Sequence, residues 1–159
     1  MAFICTIADG QFHADFFSMG ESRSVICPVG HDPAKGANYF VNVGLDKTGG
    51  NITEYYFHII EVFANKDEVI YWSGIDLPDE IDRDCRKLIL AAVLQSTEAL
   101  LNQAKPKSVF RCTVDTNPPE KSLEKHYLIS DVFVKCGYKI EVADEYQGKR
   151  SWWAEYQSL

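Results

Sequence analysis

Two carboxylates stand where a general base could act. Glu61 lies in the middle of the apolar run 59–63, and Asp76 lies where the next strand-like run gives way to a helical pattern. A carboxylate held beside a substrate can accept the proton that an attacking amine loses, which is the task of a general base. A simpler interpretation stays open for each residue. Glu61 could face solvent on an alternating strand, and Asp76 could cap a helix or close a turn.

Metal chemistry has weaker support in the sequence. The five cysteines contain no C-x-x-C pair. Cys27 and His31 are close enough in the sequence to offer two metal ligands, but no second pair accompanies them. Structural zinc sites usually combine two such short pairs. We therefore predict no metal site. The odd number of cysteines, mostly among apolar neighbours, and a start without a basic, apolar leader predict reduced thiols and a cytoplasmic location.

Charge narrows the choice of partners. The chain of 159 residues has a formal net charge of −7, and residues 1–80 contain only 4 basic against 12 acidic residues. Nucleic acids are bound largely by Lys and Arg contacts to phosphates, so an acidic half argues against such a partner. A basic protein surface fits this charge better. No apolar run approaches the ~20 residues of a membrane helix, so we predict no membrane association.

The elements that would position these groups change character near residue 77. Alternating strand-like runs fill the first half, and turns such as 46–51 and 65–67 predict an antiparallel meander. Helical spacing then predicts helices over 78–104 and 119–136, with Pro78 and Asn117 marking their starts and Gly137 marking the second helix's end. Strands are predicted at 108–114, 138–143 and 151–156. We predict one α+β domain over 1–159, with a mixed, mostly antiparallel sheet and two main helices, in the order β-meander then β-α-β-α-β-β.

The second half resembles the GCN5-related N-acetyltransferase (GNAT) family. In that family a strand leads to a helix, a strand, a second helix and a terminal hairpin. The segment 114–117, Val-Asp-Thr-Asn, resembles the family's strand that ends in Asn. The segment 133–138, Phe-Val-Lys-Cys-Gly-Tyr, is similar to the family's Y-x-K-x-G-F helix end. The resemblance covers about residues 69–156. Independently of it, the order of strand 68–75, helix 78–104 and strand 108–114 predicts a crossover unit, which joins parallel strands.

This resemblance implies an N-acyltransferase that uses acetyl-CoA. It implies a general base on the central strands, for which Glu61 and Asp76 are the candidates. It also implies a tyrosine that protonates the leaving thiolate, for which Tyr138 is the candidate and Tyr127 the alternative. The implied cofactor contacts are Ile75, Arg83, Arg86 and Asn117.

The stretch between strand and helix departs from the family pattern. The family places a glycine-rich R/Q-x-x-G-x-G/A motif there, but this chain has no glycine between Gly74 and Gly137. Acidic residues fill the stretch instead, at Asp76, Asp79, Glu80, Asp82 and Asp84. Carboxylates use the same helix dipole that a pyrophosphate would use. In addition, Phe133 stands where the family often has the proton-donating tyrosine. We therefore predict that acetyl-CoA binds weakly or not at all.

Two functions follow as predictions. One is a divergent GNAT-like, acyltransferase-related domain with an impaired acetyl-CoA site. The alternative is a non-enzymatic, acidic protein-interaction or inhibitor domain on the same scaffold. Adjacent aromatic pairs, such as Tyr55-Tyr56 and Trp152-Trp153, would place one ring on each face of the sheet. The face that no helix covers then predicts a homodimer.

Overall fold

The computed structural model describes residues 3–7, 13–48, 51–72 and 77–157, apart from the side chains of Asp144 and Tyr146. The strands of this part are β1 (Ile4–Cys5), β2 (Asp15–Met19), β3 (Ser22–Asp32), β4 (Ala37–Lys47), β5 (Thr53–Phe63), β6 (Val69–Trp72), β7 (Ser108–Cys112), β8 (Tyr138–Tyr146) and β9 (Lys149–Tyr156). The helices are α1 (Arg83–Ala104) and α2 (Glu124–Lys135), and a short 3₁₀ helix (Glu120–Leu123) precedes α2.

The nine described strands form one mixed sheet. Its main path runs β1-β3-β4-β5-β7-β9-β8, while β2 pairs with β3 and β6 pairs with β5. Every pairing is antiparallel except that of β5 with β7. The predicted α+β class, with a mixed, mostly antiparallel sheet and two helices, is confirmed. No helix in the described ranges is both long enough and apolar enough to span a bilayer.

The prediction of a parallel pair was right for β7 but wrong for the strand beside it. β7 pairs in parallel with β5, through Thr53–Val109 and Glu54–Phe110, and not with β6. β6 instead forms a hairpin with the last part of β5, because a connection of a few residues can join only antiparallel strands. β4 occupies one edge of β5 along its whole length. β6 and β7 therefore share the other edge, and β7 can pair only where β5 begins.

Helix α1 starts later than predicted. Its N-cap is Asp82, whose Oδ1 accepts a hydrogen bond from the backbone N–H of Cys85 at 2.8 Å. Pro78 lies before the helix in a turn that the N–H of Ile81 closes onto the Pro78 carbonyl at 3.0 Å. An aspartate that caps the helix this way satisfies one of its unpaired amides, so the helix begins at Arg83.

Helix α2 also starts later than predicted. Asn117 does not cap it, because this residue has a φ of 48° and donates its backbone N–H to the Gly148 carbonyl at 2.7 Å, on the β8–β9 hairpin. The 3₁₀ helix takes up the predicted first turn. Gly137 ends the helix with a φ of 97°, so its predicted role at the C-terminal end is confirmed.

Both helices pack on the same face of the sheet. The buried residues of α1 recur every three or four positions, at Cys85, Ile89, Ala92, Val93, Ser96, Thr97, Leu100 and Leu101. The apolar members of this set join one core with alternate residues of the central strands, among them Val41, Val43, Tyr55 and Ile59. The period of 3.6 on the helices and of 2 on the strands produces this one-sided core.

Candidate functional site

A cleft opens where β5 and β7 part. The two strands are paired at only two positions, and β6 does not meet β5 until Ile59. Between these points, the edge of β5 at residues 55–58 has no partner strand within the described ranges. The cleft has a volume of about 210 Å³. The residues lining it are Glu54, Tyr55, Tyr56, Phe57, Arg111, Cys112, Thr113, Val114, Asp115, Pro118, Ser122, Lys125, His126 and Lys149.

Arg111 is the most buried of the charged residues that line this cleft. Its side chain lies on the helix-covered face of β7, in register with Trp152 on β9, and only 3% of the residue is exposed. Its Nη2 donates hydrogen bonds to the His126 carbonyl, at 3.0 Å, and to the Ser130 hydroxyl. The guanidinium carbon lies 4.4 Å from the centre of the Trp152 ring, which provides a cation–π contact.

The charge of Arg111 is not neutralised by a described carboxylate. No ion pair to it is formed in the described part of the chain, and its buried Nε has no hydrogen-bond partner there. Burial away from water lowers the pKa of Arg111 to about 10, because the charged form loses solvation. A buried cation is normally paired with a carboxylate, whereas this guanidinium is held by a carbonyl, a hydroxyl and aromatic rings.

His126 lies beside Arg111 in the same wall. Its ring stacks on Trp152 at a centroid distance of 5.1 Å, and its Nδ1 is 3.5 Å from Nη1 of Arg111. Burial, together with the positive charges of Arg111 and Lys125, lowers the pKa of His126 to about 3. The imidazole is therefore neutral at physiological pH and adds polarity to the cleft without adding charge.

Lys125 lies at one side of the cleft. Its Nζ is 5.9 Å from the centre of the Phe57 ring, and burial lowers the pKa of its ammonium while Asp115 opposes that effect. Lys125 and Phe57 also line a second, mainly apolar groove of about 180 Å³. The apolar members of its lining are Phe57, Ile59, Trp72, Leu77, Ile89, Leu90 and Val93. The cleft and the groove thus share this lysine and phenylalanine as lining residues.

A larger depression of about 640 Å³ lies beside the first residues of β5 and β7. Three of its four charged side chains already have partners. Lys47 pairs with Glu21 at 3.2 Å, and Arg23 donates to the Gly20 carbonyl at 2.9 Å. Because most of its charges are satisfied, this depression is a weaker candidate than the smaller cleft.

The predicted base Glu61 does not line the cleft. The residue is only 2% exposed, so the alternative that it faces solvent is wrong. Its Oε1 accepts a hydrogen bond from the Tyr39 hydroxyl and its Oε2 accepts one from the Trp72 indole N–H, both at 2.7 Å. Burial and the neighbouring Glu61 together raise the pKa of Tyr39. Glu61 is thus the acceptor at the centre of a buried polar cluster, and its catalytic role stays a prediction.

Tyr138, the predicted proton donor, does not line the cleft. Tyr138 is buried at the start of β8, where its hydroxyl donates to the Pro106 carbonyl at 2.6 Å, just before β7 begins. Burial raises its pKa above the ordinary value. The cleft lies at the opposite end of β7. Asp76, the second predicted base, lies outside the described residues, as does Ile75, a predicted cofactor contact.

The remaining predicted cofactor contacts have other surroundings. Arg86 folds back on the segment before α1, with Nε donating to the Ile81 carbonyl at 2.7 Å and Nη2 to the Pro78 carbonyl at 3.1 Å. Arg83 is exposed in the first turn of α1. Asn117 lies exposed in the turn against the β8–β9 hairpin, close to the cleft but not in its lining. The side chains of these three residues therefore do not line one common binding surface.

Sequence reasoning missed the residues that carry charge into the cleft. Arg111 alternates with the buried Val109 and Thr113 on one face of a strand, and this inward position was the signal available in the sequence. His126 and Lys125 gave no comparable signal, because their exposure depends on how α2 meets β7.

Within the described ranges, no group of three or more His, Cys, Asp or Glu residues is arranged to hold a metal ion. Comparisons with protein-family models, with curated proteins and with solved structures find no match to this chain.

Proposed function

We propose that this chain is a divergent GNAT-like domain that binds a small ligand in the cleft between β5 and β7, without holding acetyl-CoA in the family's manner. The observation that carries the proposal is the parting of β5 and β7 after two paired positions. Parallel neighbours that separate this early leave a gap through the sheet, and the gap is lined by polar, charged and aromatic groups. Pockets that combine apolar walls with a few polar groups are typical ligand sites.

The order of elements supports the GNAT-like part of the proposal. From β5 onward the chain forms the strand, helix, strand, helix and terminal hairpin that the resemblance implies, with β6 added as a short hairpin partner of β5. The second strand of the hairpin, β9, lies between β7 and β8. A fold alone does not define a function, so the argument for a ligand depends on the cleft.

The free edge of β5 supports binding of a ligand with amide-like groups. Along residues 55–58 the backbone N–H and C=O groups that point away from β4 have no strand partner in the described ranges. Such groups need hydrogen bonds from water or from a ligand. An extended ligand lying in the cleft can supply them as an added strand would.

The N-terminus of α1 argues against a pyrophosphate there. Asp82 already accepts the amide of Cys85, and Arg86 already donates to backbone carbonyls of the preceding segment. Asp79 and Asp84 are exposed beside them. An incoming pyrophosphate would meet these carboxylates, and like charges at short range repel each other.

Ligand binding is better supported than catalysis. If the protein is active, the resemblance implies transfer of an acyl group to an amine, which needs a base at the reacting atoms. Glu61 has both oxygens occupied and lies outside the cleft lining. The neutral His126 does line the cleft, but its low pKa makes it a weak base.

The test uses short acyl compounds of matched shape. Hexanoate, hexanamide and the neutral S-hexanoyl thioester of N-acetylcysteamine are titrated into ¹⁵N-labelled protein, and backbone amide shifts are followed. We expect at least one of the three to shift the amides of Thr113, Val114 and Lys125 at millimolar concentration. If all three leave these amides unmoved, the cleft is not a ligand site and the proposal is wrong.

A second candidate function is a protein-interaction domain. One side of the sheet carries both helices, while on the opposite side the register of β4, β5 and β6 aligns Phe40 with Ile60 and Ile60 with Tyr71. Tyr71 is 64% exposed, and its ring meets His58 edge-on at 4.9 Å. An aromatic face of this kind fits a homodimer or a partner protein.

The acidic first half of the chain favours a basic partner, for which titration with a lysine-rich peptide at low and physiological salt is the test.

A further inference from the structure

We infer that the ligand of this cleft is a small monocarboxylate whose short apolar tail enters the neighbouring groove, an inference that rests on the proposed function of the cleft. The carboxylate is placed against the wall that contains Arg111, and the tail is placed beyond Lys125 and Phe57. Four observations support this chemical class. The cleft wall contains a buried cation without a described counter-ion, and the cleft lining has a net charge of +1. The cleft is small, and it shares lining residues with an apolar groove.

Arg111 is the most buried of the described lysines and arginines, and its guanidinium has no described ion pair. Arg111 is 3% exposed, its Nε has no partner, and no described carboxylate forms an ion pair with it. The other described arginines are all more exposed than Arg111. A buried charge is costly unless it is paired, and a carboxylate is the planar partner that best matches a guanidinium.

The charges of the cleft lining match a single negative charge. The lining contains three cationic side chains (Arg111, Lys125 and Lys149) and two carboxylates (Glu54 and Asp115), and it therefore has a net charge of +1. His126 is neutral and does not change that number. A monocarboxylate neutralises this excess. A phosphate dianion would exceed it and would also meet the two carboxylates, so phosphate is disfavoured.

The dimensions of the site favour a compact head with a short tail. The cleft of about 210 Å³ is smaller than the roughly 300–1,000 Å³ of pockets that hold drug-sized ligands. The groove of about 180 Å³ that shares Lys125 and Phe57 with the cleft is lined mainly by aliphatic and aromatic side chains. An alkyl chain of a few carbons gains by leaving water for such a lining. Hexanoate has a carboxylate head and a tail of this kind.

The experiment compares hexanoate with hexanamide, which keeps the tail and shape but has no charge. Both are titrated while the amides of the cleft residues and the fluorescence of the tryptophans are recorded, and inorganic phosphate is the third probe. We expect hexanoate to bind at least ten-fold more tightly than hexanamide, and phosphate to bind more weakly than hexanoate. Equal affinity of hexanoate and hexanamide would overturn the monocarboxylate while leaving cleft binding intact. Tighter binding of phosphate would also overturn it.

Variants separate a binding role of Arg111 from a structural one. Arg111→Lys keeps the charge but loses the planar fork, and we expect it to weaken hexanoate binding ten-fold or more while changing hexanamide binding less than two-fold. If that variant does not fold, Lys125→Met decides the question, with Lys135→Met on the exposed side of the same helix as its control. We expect Lys125→Met to weaken hexanoate binding at least three-fold and Lys135→Met to leave it unchanged. Equal effects of the two lysine variants would contradict the inference, and loss of binding by every probe would contradict the proposed function instead.

Discussion

Asp82 and Cys85 are joined by a hydrogen bond of 2.8 Å from the backbone N–H of Cys85 to Oδ1 of Asp82. This bond fills the position where the N-terminus of α1 would otherwise offer an amide to a phosphate. The cap and the exposed carboxylates around it make this end of the helix a poor site for a pyrophosphate. The first prediction follows from that relationship.

We predict that acetyl-CoA binds more weakly than low micromolar, as measured by calorimetry. The double change Asp79→Asn and Asp84→Asn removes two repelling charges and keeps the Asp82 cap. It should strengthen acetyl-CoA binding by about three-fold or more, since each charge near a helix end is worth roughly 0.3–1 kcal/mol. Asp131→Asn, on the exposed side of α2, is the control and should change nothing. A dissociation constant at or below low micromolar in the unchanged protein would refute the prediction and make Glu61→Gln and Asp76→Asn the next variants to assay for turnover.

We predict that Glu61→Gln lowers the free energy of unfolding by about 1–3 kcal/mol, measured by urea denaturation. The amide nitrogen of Gln must replace one carboxylate oxygen, so it meets a donor, either the Tyr39 hydroxyl or the Trp72 indole N–H. Glu68→Gln, at an exposed position, should stay within about 0.5 kcal/mol. A loss equal to that of the control would show that the buried hydrogen bonds of Glu61 contribute little to stability.

We predict that stability falls as the pH is lowered from about 6.5 towards 3. The pKa of His126 is lowered to about 3 in the folded protein, so the unfolded chain binds a proton in this range that the folded one does not. The free energy of unfolding then decreases by about 1.4 kcal/mol for each pH unit in that window. Burial lowers the pKa of His58 as well, which adds a smaller effect in the same direction.

The variant His126→Gln isolates this contribution. It should reduce the slope of unfolding free energy against pH, whereas His13→Gln, at an exposed position, should leave the slope unchanged. Titration of the imidazole shifts by NMR gives the pKa of His126 directly. A value near 6.5 for His126 would contradict the prediction, because it would show that the ring is hydrated or that its proton is shared with an anion.

We predict a homodimer formed through the aromatic face of β4, β5 and β6. Sedimentation should give a mass near twice 18.0 kDa at micromolar concentration. Tyr71→Ser removes an exposed ring from this face and should shift the equilibrium toward the monomer. Tyr127→Ser, which removes a partly exposed ring from α2, should not. A mass of 18.0 kDa for the unchanged protein at that concentration would show the prediction to be wrong.

The sequence by itself determined the class of the fold. The change from a period of 2 to a period of 3.6 near residue 77 predicts strands followed by helices, because each period places the apolar side chains on one face of its own element. Gly137 is a local signal of the same kind, since a backbone that needs a positive φ favours glycine. Interactions within a few residues of the chain are sufficient for these predictions.

Only the tertiary structure decided which strand lies beside β7 and therefore where the cleft opens. That choice depends on the free edge of β5, which β4 and β6 occupy through pairings distant in sequence. The tertiary structure also decided that Glu61 is buried with two hydrogen-bond donors and that Arg111 is buried without a described counter-ion. The solvation and pairing of a charge depend on every element packed around it, so the spacing of residues in one strand does not determine them.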